Sequence, residues 1–241
     1  MTRRVSTLKA RPRQARSHDT LRRLLDATEH LLAHQHFEDI SIHQILAASG
    51  VSTGSFYARF HRKEDLLPHL YADYSAALRA RMAADTDPAR WRDRTLAARI
   101  RALVAQAVRA YRERRGLLRA VALLARSRPA AVGKSALRER DEQYRAAAAL
   151  LLECRREIKH PDPALAVSTG ILFVLAACRD KILFAEAPHP ASVKLTDDQL
   201  AAELAHALHA YLTAKPASPS CGALARTRNL PARAEAPRYF S

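Results

Sequence analysis

Apolar residues recur every three or four positions along most of the chain, which is the spacing of one face of an α-helix. The first such segment follows a possible N-cap at Ser17 or Asp19 and contains Leu21, Leu24, Leu25, Thr28, Leu31 and Leu32. Two shorter segments follow Ser41 and Ser52 and are separated by Gly50, and a fourth runs from about 62–64 to 84. The pattern therefore predicts three short helices with a glycine-containing turn between the second and the third.

From residue 90 onward the same periodicity predicts longer helices. Gly116 should break the first of them, and a capping box at 196–199 should start the last. The predicted helices cover residues 90–115, 117–125, 135–158, 163–184 and 197–212. No segment has the alternating pattern of a strand, so the sequence predicts an all-α protein of about nine helices.

Composition shifts divide the chain into four parts. Residues 1–18 contain six basic residues, no acid and Pro12, which is typical of a flexible basic arm. The three short helices predict a helix-turn-helix unit at 19–70, and the longer helices predict a second domain at 71–213. Four prolines in 214–241 favour a disordered tail.

The charge of the chain suggests a polyanionic partner but does not locate it. The 241 residues contain 40 Lys and Arg against 24 Asp and Glu, a formal net charge of +16. Arginine-rich and alanine-rich composition is also what a GC-rich genome produces, so the position of the charge must decide. Residues 19–89 carry a net −3, whereas residues 90–128 carry +10, with 12 Arg and only Asp93 and Glu113 as acids. The basic segment is a solvated face, a second DNA-facing surface, or the wall of a site for an anionic effector, in that order of preference.

Compartment signals favour the cytoplasm. Cys154, Cys178 and Cys221 are odd in number and widely spaced, so they predict neither a disulfide framework nor a zinc knuckle, and we expect Cys154 and Cys178 to be core thiols. The N-terminal segment has no apolar stretch of the kind a secretory signal needs. The longest uncharged stretch, 163–178, is shorter than the ~20 residues that a bilayer requires, so we expect no membrane span.

The region around Gly50 meets the physical requirements of a helix-turn-helix, in which the third helix enters the major groove of DNA. Gly50 can adopt the positive φ that the turn needs. Val51, Phe56 and Phe60 can pack against residues of the first two helices, including Ile42, Ile45 and Leu25. The side chains left to face DNA are Ser52, Thr53, Ser55, Tyr57 and Arg59.

The run FEDISIHQILAASGVSTGSFYARFHRKEDLL, residues 37–67, resembles the DNA-binding domain of the tetracycline-repressor (TetR) family of bacterial transcriptional regulators. The features that match are Phe37, Ser41-Ile42, Ile45, Ala48, Gly50-Val51-Ser52, Gly54, Phe56-Tyr57, Phe60, Lys63-Glu64 and Leu66-Leu67. The resemblance implies an all-α homodimer that binds a near-palindromic operator on double-stranded DNA, most simply as a repressor. It also implies a small-molecule effector, of unknown identity, that binds the C-terminal domain and releases DNA.

The resemblance carries over to individual residues. It implies that Ser41, Tyr57 and Lys63 contact phosphates, and that Thr53, Ser55 and Arg59 reach base edges. For Arg59, contact with phosphate and bidentate pairing with guanine are equally open. The chain departs from the family pattern at His36, where glycine usually ends the first helix, and at Thr53, where lysine is usual.

In the C-terminal domain, the resemblance implies that the last two long helices pair in a four-helix dimer interface. Its candidate residues are Leu172, Leu175, Leu200, Leu204, Leu208 and Tyr211. The aromatic candidates for an effector pocket are Trp91, Tyr111, Tyr144 and Phe173, although core packing explains each of them as well.

Other kinds of chemistry have weaker support. Residues 50–54 match the GxSxG nucleophile elbow, but that motif needs a strand before the serine, and a helical segment precedes it here. The pairs His30/His34 and His206/His209 have no Glu or Asp at the spacing of a zinc site such as HExxH, so we expect solvated surface histidines. We therefore expect no catalytic residue, metal or cofactor. The alternatives are a helical regulator that works through protein contacts without an operator and, less favoured, an enzyme with an unrecognised site.

Overall fold

The computed structural model describes residues 13–85, 91–186 and 193–215, and these residues form nine α-helices and no strand. The helices are α1 Arg13–Leu32, α2 Ile42–Ser49, α3 Thr53–Tyr57, α4 Leu67–Asp85, α5 Leu96–Glu113, α6 Arg115–Ser127, α7 Lys134–Leu152, α8 Pro163–Cys178 and α9 Asp197–Thr213. Short 3₁₀ helices lie at Phe37–Asp39, Lys63–Leu66 and Pro129–Val132, and a π-helical turn at Arg179–Leu183 continues α8. The prediction of an all-α protein is confirmed.

Two hydrophobic cores organise these helices. The first core contains residues of α1, α2, α3 and α4, and α6 contributes Leu117, Val121 and Leu124 to it. The second core joins α5, α7, α8 and α9. Leu118 of α6 is packed against both cores. Although α6 belongs to the second domain predicted at 71–213, it therefore packs in the first core together with α1, α2, α3 and α4.

Several helix boundaries differ from those that the sequence predicts. Helix α1 begins at Arg13, so residues 13–18 are helical and are not part of an extended arm, and neither Ser17 nor Asp19 caps the helix. The rest of the predicted arm, 1–12, and most of the predicted tail, 216–241, lie outside the described residues. The break after α5 falls at Arg114, and Gly116 lies inside the first turn of α6.

The predicted helix starts are confirmed where a side chain caps them. Ser41 and Gln44 form a capping box at α2, and Thr196 and Gln199 form one at α9. At α8 the Asp162 carboxylate accepts a hydrogen bond from the backbone N–H of Leu165 at 3.0 Å. These contacts satisfy backbone donors that a helix start otherwise leaves without partners.

The first departure from the family pattern has a simple structural solution. His36 has φ −72° and ψ 146°, an extended conformation that any residue adopts. The backbone N–H groups of His34 and Gln35 both donate to the carbonyl of Leu31, so a turn ends α1 before His36 is reached. A left-handed residue is not needed there, and histidine is tolerated.

Helix α8 is the most apolar helix, and it does not bury all of its apolar side chains. The exposed fractions of Leu165, Leu172 and Phe173 are 57%, 62% and 58%. Gly170 of the same helix is buried and lies close to Leu208 of α9. A Cβ added to Gly170 would lie 2.2 Å from Cδ1 of this leucine. No helix in the described part of the chain is long and apolar enough to cross a membrane.

The two described cysteines fit the predicted role of core thiols. Cys178 is fully buried in the second core, and burial raises the pKa of its thiol to about 11. Burial also raises the pKa of Cys154, which is half-buried. Both thiols are therefore protonated at neutral pH, which disfavours nucleophilic or redox chemistry. Cys221 lies outside the described residues.

Candidate nucleic-acid interface

A left-handed glycine sets the angle between α2 and α3. Gly50 ends α2 with φ 61° and ψ 25°, and its backbone N–H donates to the carbonyl of Leu46 at 2.9 Å. A Cβ at this position would also lie 2.7 Å from Nη2 of Arg23 on α1. The left-handed conformation is what favours glycine here, since the Arg23 side chain could move aside, and it confirms the turn that the sequence predicts.

Helix α3 is short and is held by its aromatic side chains. It has five residues, and Phe56 in its last turn is fully buried in the first core, 5.6 Å between ring centroids from Phe60. Val51 before the helix and Ile45 on α2 are buried in the same core. Packing of this kind fixes the helix on its scaffold and determines which residues remain outside.

The outward face of α3 carries small and polar side chains. Ser52 caps the helix, and its Oγ accepts from the backbone N–H of Ser55 at 3.3 Å and donates to the Ser55 Oγ at 2.9 Å. Thr53 is exposed, and 51% of Tyr57 is exposed, as expected for a residue one position away from the buried Phe56. The structure therefore brings Ser52, Thr53, Ser55 and Tyr57 to one accessible surface.

Arg59 lies on this surface but not on the helix. Because α3 ends at Tyr57, Arg59 belongs to the turn that follows, and its backbone N–H donates to the carbonyl of Phe56 at 2.9 Å. Its guanidinium donates to the hydroxyl of Ser17 in the first turns of α1. The sequence pattern predicts a recognition helix from Ser52 to Phe60, whereas α3 ends at Tyr57, and α1 restrains the side chain of the predicted base contact.

Ser41 occupies the N-terminus of α2 near the same surface. Its backbone N–H donates to Gln44 Oε1 at 2.8 Å, and its Oγ accepts from the backbone N–H of Gln44 at 3.2 Å. The side chain is exposed. A helix N-terminus attracts anions, so this position suits a phosphate.

Lys63 has a different role from the phosphate contact that the family resemblance implies. Its ammonium donates to the carbonyls of Phe37, Glu38 and Ile40 at 2.8, 2.9 and 2.7 Å, and it lies 5.0 Å from the centroid of the Phe37 ring. An ammonium has three donors, and all three are used. In this structure the Lys63 ammonium holds the 3₁₀ turn at Phe37–Asp39 before α2, whereas the phosphate contact stays a prediction.

We expect Lys63→Met to lower the free energy of unfolding by about 2 kcal/mol, because hydrogen bonds from a charged donor contribute roughly 1.5–3 kcal/mol. Methionine keeps the aliphatic stem and removes only the donors. The slope of operator affinity against salt should stay that of the wild type. If Lys63→Met keeps the wild-type melting temperature but the slope of log affinity against log salt concentration falls by about one, Lys63 contacts phosphate instead.

Five arginines of the basic segment 90–128 form ion pairs inside the chain. Arg99 is 4% exposed, pairs with Glu153, and donates to the carbonyls of Trp91 and Leu150 at 2.6 and 2.8 Å. The other four join helices or turns to one another, in the pairs Arg112–Asp197, Arg114–Glu29, Arg115–Glu186 and Arg119–Glu38. Internal pairing is a role that none of the three interpretations of this segment included.

The four predicted pocket residues do not form one group. Phe173 lies on the outward face of α8, with its ring centroid 5.9 Å from that of Tyr211, and Trp91 is 8% exposed with its carbonyl bound by Arg99. Tyr111 and Tyr144 do approach each other. Burial, and after it the nearby Tyr144, raises the pKa of Tyr111. Tyr144 is 37% exposed at its surface, and the burial of the rest of its side chain raises its pKa as well. Both phenols therefore stay protonated at physiological pH.

The predicted interface residues differ in how far they are exposed. Leu200 and Leu208 are 7% and 5% exposed and belong to the second core of their own chain, so little of either side chain faces outward, and their contact with a partner stays a prediction. Leu172 is exposed on α8. The remaining candidates, Leu175, Leu204 and Tyr211, are half-buried.

Comparison with known proteins finds a family match over the helix-turn-helix region and solved structures of similar fold. Residues 24–70 match the family model described as bacterial regulatory proteins, tetR family. The fold is similar to that of a putative TetR-family transcriptional regulator from Mesorhizobium loti MAFF303099, with a TM-score of 0.58 and 18% identity over 82% of this chain and 96% of that one.

A bacterial regulatory protein of the tetR family from Rhodococcus RHA1 is also similar, with a TM-score of 0.56 and 16% identity over 80% of this chain and 96% of that one. At such identities the structural likeness concerns the fold alone. Among curated protein sequences no significant match is found.

Proposed function

We propose that this TetR-family transcriptional regulator is a ligand-responsive repressor that binds a near-palindromic operator as a homodimer. The observation that carries the proposal is the surface of α3, where Ser52, Thr53, Ser55 and Tyr57 are exposed above a fully buried Phe56. Short polar side chains let the helix backbone approach the major groove closely. We further propose that the protein acts in the cytoplasm and without catalysis.

Contacts to DNA divide into those that position the protein and those that read sequence. We assign phosphate contacts to Ser41 and Tyr57, and base contacts to Thr53, Ser55 and Arg59. The bond between Arg59 and Ser17 supports a base contact, because a restrained guanidinium loses less side-chain entropy when it pairs with guanine. Ser17 exchanges its contact with Arg59 for water or phosphate when DNA binds.

Arg59→Ala should relax base preference at one position of each half-site, at a cost of roughly 1–3 kcal/mol. Tyr57→Phe should instead weaken binding to all DNA sequences by the same factor, because it removes one hydroxyl from a phosphate contact. Fluorescence anisotropy with an operator from the region upstream of the protein's own gene, and with single-base variants of it, measures both effects. Equal losses on every sequence for both variants would contradict the assignment of Arg59.

The dimer that we propose uses the outward face of α8. Leu165, Leu172 and Phe173 are more than half exposed on a helix whose other face is buried through Ala166, Val167, Gly170, Val174 and Cys178, and Tyr211 of α9 extends the exposed face beside Phe173. Contiguous exposed apolar side chains of this kind typically mark an interface. Pairing two copies through α8 and α9 covers them and relates two recognition helices by a two-fold axis, which matches a palindromic operator.

The effector acts by favouring one arrangement of these two recognition helices over another. It can do so only if its affinity differs between the DNA-bound and the released conformation. Helix α6 is suited to transmit that difference, because it directly follows α5, which packs in the second core, and itself packs in the first core.

A further inference from the structure

We propose that Arg119 is a positioning residue for operator binding, because through Glu38 it fixes the turn that leads into α2. The proposal rests on the operator binding proposed above and adds to it a residue outside the helix-turn-helix. Arg119 acts without touching DNA, by determining where the N-terminus of α2 lies.

The 3₁₀ turn at Phe37–Asp39 leads directly into α2. Only Ile40 separates this turn from Ser41, the N-cap of the helix. We have proposed a phosphate contact at that helix start, where a shift of about one ångström is enough to lengthen a hydrogen bond beyond its useful range. The position of the turn therefore controls a contact to DNA.

Two cationic side chains hold this turn, and they belong to different parts of the chain. Lys63 binds three of its carbonyls, but it lies in the 3₁₀ helix Lys63–Leu66 between α3 and α4, so it holds the helix-turn-helix unit to itself. Arg119 lies on α6, and its Nη1 donates to both carboxylate oxygens of Glu38 at 3.0 and 2.8 Å. Arg119 therefore ties the turn to a helix outside that unit.

The contact between Arg119 and Glu38 adds direction to the apolar contact between α6 and the first core. Leu117 and Val121 keep α6 attached to that core, but burial of apolar surface has no preferred direction. A charge-assisted hydrogen bond fixes both a distance and a direction. The ion pair thus determines where the turn lies relative to α6.

The same part of α6 also contacts the segment that follows α8. The guanidinium carbon of Arg119 lies 5.7 Å from the centroid of the Phe184 ring. One turn earlier on α6, Nε of Arg115 donates to the carbonyl of Ile182 at 2.8 Å. Ile182 lies in the π-helical turn that continues α8, and Phe184 follows that turn. A displacement at the end of α8 therefore reaches the start of α2 through Arg119.

Arg119 is held in an arrangement that does not maximise stability. Its Nε is buried, and no acceptor binds it among the described residues. A buried donor without an acceptor costs free energy, whereas the exposed Glu38 would remain hydrated without its partner. Stability alone therefore does not explain an arginine at this position, and a role in binding does.

Arg119→Met removes the guanidinium and keeps an apolar stem. Its affinity for the duplex that the wild-type protein selects from a random pool should fall at least fivefold, as measured by fluorescence anisotropy. The melting temperature should stay at or above that of the wild type, because the unsatisfied Nε is removed. A smaller loss of affinity, or a loss accompanied by a lower melting temperature, overturns the proposal. So does a salt slope lower by about one, since Arg119 would then contact phosphate itself.

Glu38→Gln tests the partner through the sign of its effect. Removing an acid should by itself strengthen binding to a polyanion. We expect weaker binding instead, because a neutral amide is a poorer acceptor for the guanidinium. The double variant Arg119→Met/Glu38→Gln should bind no more weakly than Arg119→Met, since the two residues act as a unit. Stronger binding by Glu38→Gln, or additive losses in the double variant, overturns the proposal.

Arg114→Met is the matched control. It removes the same charge and breaks the pair with Glu29 on α1, which does not hold the turn before α2. Its operator affinity should stay within twofold of the wild type, and a loss equal to that of Arg119→Met would overturn the specific role of Arg119. Absence of operator binding by the wild-type protein would contradict the repressor function itself. Wild-type binding that Arg119→Met leaves unchanged would contradict only the role of Arg119.

Discussion

Gly116→Ala should destabilise the folded protein by roughly 1–3 kcal/mol, the usual cost of forcing an extra carbon into a packed site. An added Cβ would lie 2.3 Å from the carbonyl oxygen of Leu32, at the end of α1. Backbone on both sides prevents the small adjustment that a flexible side chain could make. To admit the methyl group, α6 must move away from α1, which also stretches the pair between Arg114 and Glu29.

The sign of the change in stability distinguishes a closely packed glycine from one at an unobstructed helical position. At an unobstructed helical position, alanine is more favourable than glycine by up to ~1 kcal/mol. Gly54→Ala is the matched control, because Gly54 lies in α3 and an added Cβ meets nothing within 4 Å. Urea denaturation without DNA should show Gly54→Ala at or above wild-type stability and Gly116→Ala below it. Equal gains for both variants would contradict the close packing of α6 on α1.

Leu172→Glu should convert the protein to a monomer and lower operator affinity at least a hundredfold. Leu172 is 62% exposed in one chain, so a carboxylate there costs the monomer little. In the proposed interface, the same carboxylate would be buried against apolar side chains without a partner, which costs several kcal/mol. A monomer occupies one half-site only and loses the advantage of simultaneous binding to both.

Sedimentation equilibrium measures the first part of this expectation. Wild-type protein should have twice the 26.8 kDa mass of one chain, and Leu172→Glu should have that of one chain. Ala105→Glu introduces the same charge on the exposed face of α5 and should remain a dimer. A dimeric Leu172→Glu would exclude the outward face of α8 as the interface.

The features that the sequence predicts well depend on local contacts. The turn at Gly50, the caps at Ser41 and Thr196, and the burial of Phe56 follow from residues close in sequence, and the structure confirms each of them. The register of the helix-turn-helix is predictable for the same reason.

The features that sequence reasoning missed depend on contacts between distant residues. Lys63 lies about 25 positions from the carbonyls that it binds, and nothing local distinguishes it from a surface lysine. Likewise, the pairs Arg114–Glu29 and Arg119–Glu38 join segments more than 80 positions apart. The surplus of arginine in 90–128 was visible, but its partners are acids scattered through the rest of the chain.

Helical periodicity also leaves open which side of an apolar helix is covered. Leu208 and Leu172 fit the same apolar pattern, yet Leu208 packs on Gly170 in its own chain, whereas Leu172 is exposed. Which of the two leucines is covered depends on how α8 and α9 pack against each other, and helical periodicity contains no information on that packing.

Selection of bound sequences from a pool of random DNA duplexes tests the central claim most directly. A dimeric helix-turn-helix regulator should enrich a two-fold symmetric motif, with half-sites separated by one helical turn or a multiple of it. Arg59→Ala should enrich the same motif with one relaxed position in each half. Folded protein that enriches no symmetric motif would contradict the assignment of this chain as an operator-binding regulator.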